Sequence, residues 1–204
     1  MTDANAALGL RGPADHDVRE QIVVAALEQF SRYGYGKTTV ADLAKQIGYS
    51  KAYIYRFFES KQAIGEAICS QCLAKILSAM ATAVDNAKTP TEALRALAKI
   101  MIQDCVELLF EDRKLFEIAA HSASERWRTF QNYEATVSNL VRNIILRGRE
   151  AGEFERKTPL DETVRVILQV LQPFMQPVML EYNLARLPDS ANEVVNLILR
   201  SLAP

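Results

Sequence analysis

The chain has 204 residues, 49% apolar and 24% charged, with a formal net charge of −1, which is ordinary for a soluble globular protein of one good-sized domain or two modest ones. No uninterrupted apolar run of about 18 residues occurs, so no membrane partner is expected, and the start MTDANAALGLRGPADHD lacks the basic and apolar regions of a secretory signal, so a cytoplasmic protein is expected. Three cysteines argue against a disulfide framework, and two distant histidines, His16 and His121, leave little for a metal site, so neither metal nor cofactor is expected.

The charge is uneven. Residues 32–61 carry Arg32, Lys37, Lys45, Lys51, Arg56 and Lys61 against Asp42 and Glu59, a local charge of +4, whereas residues 66–204 sum to −2. A basic patch on a mildly acidic body can bind a polyanion.

In chain order, residues 1–16 read as a flexible tail, rich in Ala, Gly and Asp. A helix follows, with Val18, Ile22, Ala25, Ala26, Phe30 and Tyr33 at helical spacing, and it stops at Gly34 and Gly36. Thr39 and Asp42 form a capping-box pattern ahead of a short helix whose inner face is Leu43, Ala44 and Ile47. Gly48 ends that helix, and Ser50 caps another running to about Phe57. Two short helices joined at a glycine-containing turn are the helix-turn-helix plan. Ala44 is small enough for the close helix crossing, Gly48 tolerates the turn, and Ile54 points back to Leu43 and Ile47.

Ser60 can cap a fourth helix to about Asn86, and Thr89 and Pro90 start the next. Leu94, Leu97, Met101, Cys105 and Leu108 make residues 91–110 amphipathic. Helices are expected over about 112–122 and 124–151. Thr158 and Pro159 begin another, with Val164, Ile167, Leu171, Phe174, Val178 and Tyr182 on one stripe. Pro173 and Pro177 lie inside it, so a kink or bulge is expected near 169–177. After a turn at residues 187–190, a last helix carries Val194, Leu197, Ile198 and Leu202. No strand pattern appears. The expectation is an all-α protein of about nine helices: a DNA-binding domain over 17–65 and a second helical domain over 66–204.

Residues 38–61 resemble the DNA-binding domain of the TetR family of transcriptional regulators. The elements of the resemblance are Thr38-Thr39, the short helix Ala41 to Ile47, Gly48, the helix from Ser50 to Phe57 with Tyr55 near its end, Phe58, and Ser60-Lys61. The match covers about 17–65; the later helices fit in number and length. Helix starts and nearby hydroxyls suit phosphate, so Thr38, Thr39 and Ser50 are expected to face the DNA backbone. Tyr55 and Lys61 resemble the family's phosphate-contacting tyrosine and lysine. Lys51, Ala52, Tyr53 and Arg56 are the candidates for base edges. Many members carry polar or histidine side chains at the two positions after the tyrosine, where this chain has Arg56 and Phe57.

The resemblance implies a homodimer through the last two helices, about 159–186 and 190–202, on a palindromic double-stranded operator, and a small-molecule effector held in the second domain whose binding releases the DNA. Candidate lining residues are Met101, Cys105, Phe116, His121, Trp127, Phe130, Tyr133 and Phe174, a mix suited to an apolar or aromatic effector. Two other readings arise. Cys69 and Cys72 form a CxxC that a redox sensor could use, but no βαβ pattern surrounds it, and small packing residues are expected. An enzyme is not expected, since no GxSxG, P-loop or HExxH occurs.

Overall fold

The computed structural model describes residues 15–204. Among these are ten α-helices, one short 3-10 turn and no strand. The all-helical expectation holds, with one more helix than the spacing predicted. The chain divides into two compact units between Ile64 and Gly65. The expected tail lies outside the described residues except for Asp15 and His16, which are already helical.

The first unit holds α1 (Asp15–Tyr33), α2 (Val40–Ile47), α3 (Lys51–Ile54) and the start of α4 (Lys61–Asp85). Its core is Val18, Ile22, Ala26 and Phe30 from α1, with Val40, Leu43, Ala44, Ile54, Phe58 and Ile64. Val18, Ile22, Ala25, Ala26 and Phe30 of the helical stripe read from the sequence are buried, whereas Tyr33 at its end is exposed and Ile47, expected on the inner face of α2, is half-buried. Gly34 ends α1 with φ 86°, and its N–H donates to the Phe30 carbonyl at 2.8 Å. By length and composition alone α4 is long and apolar enough to cross a membrane. Ile64, Ile68, Leu73, Ile76, Met80 and Val84 of this helix are buried within the protein.

The second unit continues α4 and adds α5 (Pro90–Glu111), α6 (Arg113–Ser124), α7 (Arg128–Glu150), α8 (Leu160–Met175), α9 (Pro177–Asn183) and α10 (Asp189–Ser201). α5 packs on α6, α7, α8 and α10, and α7 also packs on α8. Thr89 caps α5 with Pro90 in its first turn. At α8 the frame shifts by one: Pro159, not Thr158, is the N-cap, and no side chain caps the helix. The two prolines act differently. Pro173 is accommodated inside α8, whereas the chain breaks at Gln176, whose ψ is 118°, and Pro177 starts α9. One long helix with a kink is therefore two helices. Val164, Ile167, Leu171 and Phe174 of the apolar stripe are buried, while Val178 and Tyr182, beyond the break, are exposed.

The C-terminus of α7 is closed by a tight reversal. Gly152 takes φ 76°, the backbone N–H groups of Glu153 and Phe154 both donate to the Gly148 carbonyl, and the Phe154 ring folds onto Gly148. The ring takes the space a side chain on Gly148 would need.

Candidate nucleic-acid interface

The turn between α2 and α3 is built from local rules. The Thr39 hydroxyl accepts from the Asp42 N–H at 3.2 Å, and the Asp42 carboxylate accepts from the Thr39 N–H at 2.8 Å and its hydroxyl at 2.6 Å. These bonds hold the Asp42 carboxyl below its usual range, the hydroxyl bond contributing most. Gly48 closes α2 in the left-handed conformation, φ 72°, and the Tyr49 N–H donates to the Ala44 carbonyl at 2.9 Å. Ser50 then accepts from the Tyr53 N–H at 3.1 Å and starts α3.

α3 has only four α-helical residues. Residues 55–57 continue as a turn, in which Arg56 and Phe57 donate to the carbonyls of Tyr53 and Ile54. The helix expected to reach Phe57 thus tightens after one turn. Its two faces are distinct. Ile54 is fully buried, while Lys51, Ala52, Tyr55 and Arg56 are exposed and Tyr53 and Phe57 are half-buried. Neither Lys51 nor Arg56 forms an ion pair among the described residues. Their cationic groups lie over aromatic rings instead, Lys51 over Tyr55 at 5.7 Å and Arg56 over Tyr53 at 5.4 Å. Tyr53 is itself held edge-on between Tyr49 and Phe57 at 4.9 and 5.3 Å. The aromatic side chains of this stretch therefore brace the cations.

Two expected contacts are placed otherwise. Thr38 is buried, and its hydroxyl donates to the Gly34 carbonyl at 3.0 Å, tying the end of α1 to the start of α2. It cannot offer that hydroxyl to a phosphate in this conformation. Lys61 donates to the carbonyls of Tyr35 at 3.0 Å and Thr38 at 3.2 Å, and its ammonium lies 4.3 Å from the centre of the Tyr35 ring. An ammonium has three protons, and two are engaged within the protein. Thr39, Ser50, Lys51, Ala52, Tyr55 and Arg56 stay on the exposed surface of this unit.

Three supporting residues escaped the sequence reading. Tyr35 seats Lys61, Arg19 lies 4.6 Å over the Phe58 ring, and Gln21 accepts from the Tyr49 hydroxyl at 2.9 Å. Only Tyr35, beside the glycine pair, stood near a readable signal.

In the second unit, Met101, Cys105, Phe116, Trp127, Phe130, Tyr133 and Phe174 are all buried. His121 is exposed, with its ring edge-on to Trp127 at 5.3 Å. This interior holds unmatched polarity: the Tyr133 hydroxyl and Ser122 Oγ are buried without a hydrogen-bond partner in the protein. Ser122 faces the Cys69 thiol without a bond of ordinary geometry. Burial pushes the Tyr133 phenol well above its usual range. It also raises the thiols of Cys69 to about 11 and Cys105 to about 12, and Cys72 in the same direction. Such thiols are poor nucleophiles, which favours packing over redox sensing.

Comparison with known proteins decides the family. Residues 22–68 match the model of bacterial regulatory proteins of the tetR family, and residues 90–195 match that of a tetracyclin repressor-like C-terminal domain.

The chain belongs to the TetR family.

It is a DNA-binding transcriptional regulator of that family. It is 25% identical over 139 residues to the HTH-type transcriptional regulator LuxR of Vibrio harveyi, covering 66% of each chain, so it spans about two thirds of that relative. Its fold resembles the TetR-family regulator PfmR from Thermus thermophilus, with TM-score 0.59, 26% identity, and coverage of 90% of this chain and 99% of that one. It also resembles FadR from Bacillus subtilis, solved in complex with stearoyl-CoA, with TM-score 0.64, 21% identity, and coverage of 90% and 98%; that likeness concerns the fold.

Proposed function

We propose that this TetR-family protein acts as a homodimeric repressor that holds a palindromic operator and releases it when a small apolar or aromatic molecule enters the second unit. The observation that carries the DNA reading is the exposed surface of α3 and the turn after it, where Lys51 and Arg56 have no acidic partner within ion-pair distance and Ala52 adds a small exposed side chain. A lysine or arginine there can donate to guanine, and Ala52 can pack on a thymine methyl. Ser50 and Tyr55 would meet phosphates, Lys61 would use its remaining proton, and Tyr53 would serve chiefly by positioning Arg56, while the donors of Thr39 are engaged by Asp42 and serve the cap of α2.

The dimer is supported by apolar side chains left exposed on the last helices: Val166, Val178, Met179, Tyr182 and Leu197. An isologous pair would cover them and place two recognition helices on one palindrome. The effector reading is supported by the buried, unpartnered hydroxyls of Tyr133 and Ser122 among aromatic and thiol side chains. An apolar molecule with one polar group could satisfy either. Another chain of this fold, FadR, is solved with stearoyl-CoA. To release DNA, the effector must prefer the DNA-incompetent conformation.

The test is enrichment of bound duplexes from a random pool at fixed salt, because phosphate contacts make affinity salt-dependent. Recovery of one palindrome is the expected result. General, salt-sensitive binding with no enriched sequence would sink the operator reading.

A further inference from the structure

A cavity of about 350 Å³ lies between α5 and α10, and no aromatic side chain lines it. That volume is at the small end of ligand pockets, about 300–1,000 Å³. Its floor is apolar: Ala98 and Ile102 from α5 face Ala191 and Val195 from α10, all largely buried. The two alanines leave room where larger side chains would close the gap between the helices.

The rim is cationic. Arg95 and Lys99 both line the cavity, both are exposed, and neither forms an ion pair among the described residues. They stand one helical turn apart on α5, where like charges repel. The other polar lining groups, Gln103 and Asn192, are neutral. An adjoining groove shares Arg95 and adds Arg200. Its one carboxylate side chain, Glu153, already accepts from the Thr91 N–H at 3.2 Å and hydroxyl at 2.8 Å. An apolar slot opening beneath two unneutralised cations has the chemistry of a receptor for an amphipathic anion.

We propose that the α5–α10 groove binds a small anionic amphiphile, its carboxylate between Arg95 and Lys99 and its apolar body on Ala98, Ile102, Ala191 and Val195. The site differs from that of the interior effector reading, and the inference depends on neither that reading nor DNA binding.

The experiment is calorimetric titration of the full chain with decanoate and, separately, decanol, both below their aggregation limits. Decanoate is expected to bind once per chain and decanol at least tenfold more weakly. The double variant R95Q/K99Q is expected to weaken decanoate at least tenfold, as loss of charge-assisted hydrogen bonds implies. Ala191→Leu should fill the slot and weaken both ligands, and Tyr133→Phe should change neither. Failure of decanoate to bind, equal affinity for decanoate and decanol, or indifference to R95Q/K99Q overturns the proposal. Loss of binding in Tyr133→Phe with no effect of R95Q/K99Q would also overturn it, placing the ligand in the interior. R95Q/K99Q changes only exposed side chains, so it decides the matter even where Ala191→Leu fails to fold by circular dichroism. Operator binding measured in parallel keeps this outcome separate from that of the DNA reading.

Discussion

Lys61 is seated on Tyr35: its ammonium donates to the Tyr35 carbonyl at 3.0 Å and lies 4.3 Å from the centre of the same residue's ring. This contact joins the start of α4 to the loop after α1, residues 26 apart in sequence. Replacing Lys61 with Met keeps most of the stem and removes the donors. Hydrogen bonds from a charged group contribute about 1.5–3 kcal/mol, so Lys61→Met should lower unfolding free energy by roughly that amount in urea. Unchanged stability with weakened DNA binding would show that the lysine serves phosphate alone.

Arg56 and Lys51 should behave otherwise. Both are exposed and outside ion pairs, so Arg56→Ala and Lys51→Ala should leave thermal unfolding nearly unchanged. If the side chain reads a base edge, its removal should weaken operator binding by about 1–3 kcal/mol and relax sequence preference at one position. Uniform weakening across sequences, with the salt slope reduced by about 1, would place that residue on a phosphate instead.

Gly148 admits no side chain. A Cβ there would lie 1.9 Å from Cδ2 of Phe154, whose ring is buried. Gly148→Ala should therefore destabilise the protein by about 1–3 kcal/mol, the usual cost of overpacking. The double variant with Phe154→Leu should recover part of that loss in the same denaturation experiment. An alanine variant as stable as the parent would show that the ring swings away freely.

Tyr133 carries a buried hydroxyl without a protein partner, and leaving such a group unmatched costs about 1–3 kcal/mol. Tyr133→Phe should raise the melting temperature of the ligand-free protein while weakening any effector that uses the hydroxyl. A clear fall in melting temperature would mean that the hydroxyl is already satisfied.

The cysteines link stability to alkaline pH. Folding raises Cys69 from 9.0 to about 11 and Cys105 to about 12, through burial. Above pH 9 the unfolded chain releases these protons more readily than the folded one, so unfolding free energy falls as pH rises. The contribution is complete below 9.0 and lost progressively toward 11 and 12. Cys69→Ala/Cys105→Ala should flatten this part of the stability–pH profile. A profile unchanged by the substitutions would mean that the thiols titrate alike in both states.

The local elements were legible because their causes are local. Thr39 and Asp42 three residues apart, Gly48 at a left-handed turn and Ser50 before α3 each act through bonds within a few residues, and the structure contains them where the sequence implied. Helical spacing likewise marked the cores around Phe30 and Phe174, since burial follows the repeat of the helix. The tertiary structure alone decided which polar groups remain free. Thr38 and Lys61 look as available as Ser50 and Lys51 in the sequence, yet they face carbonyls of a loop that folds back on them. Pro173 and Pro177 carry the same backbone restriction, but only at Gln176 does the chain leave the helix. The cationic slot on α5 and α10 joins residues far apart in the chain, and no periodicity within either helix determines what the other sets against it.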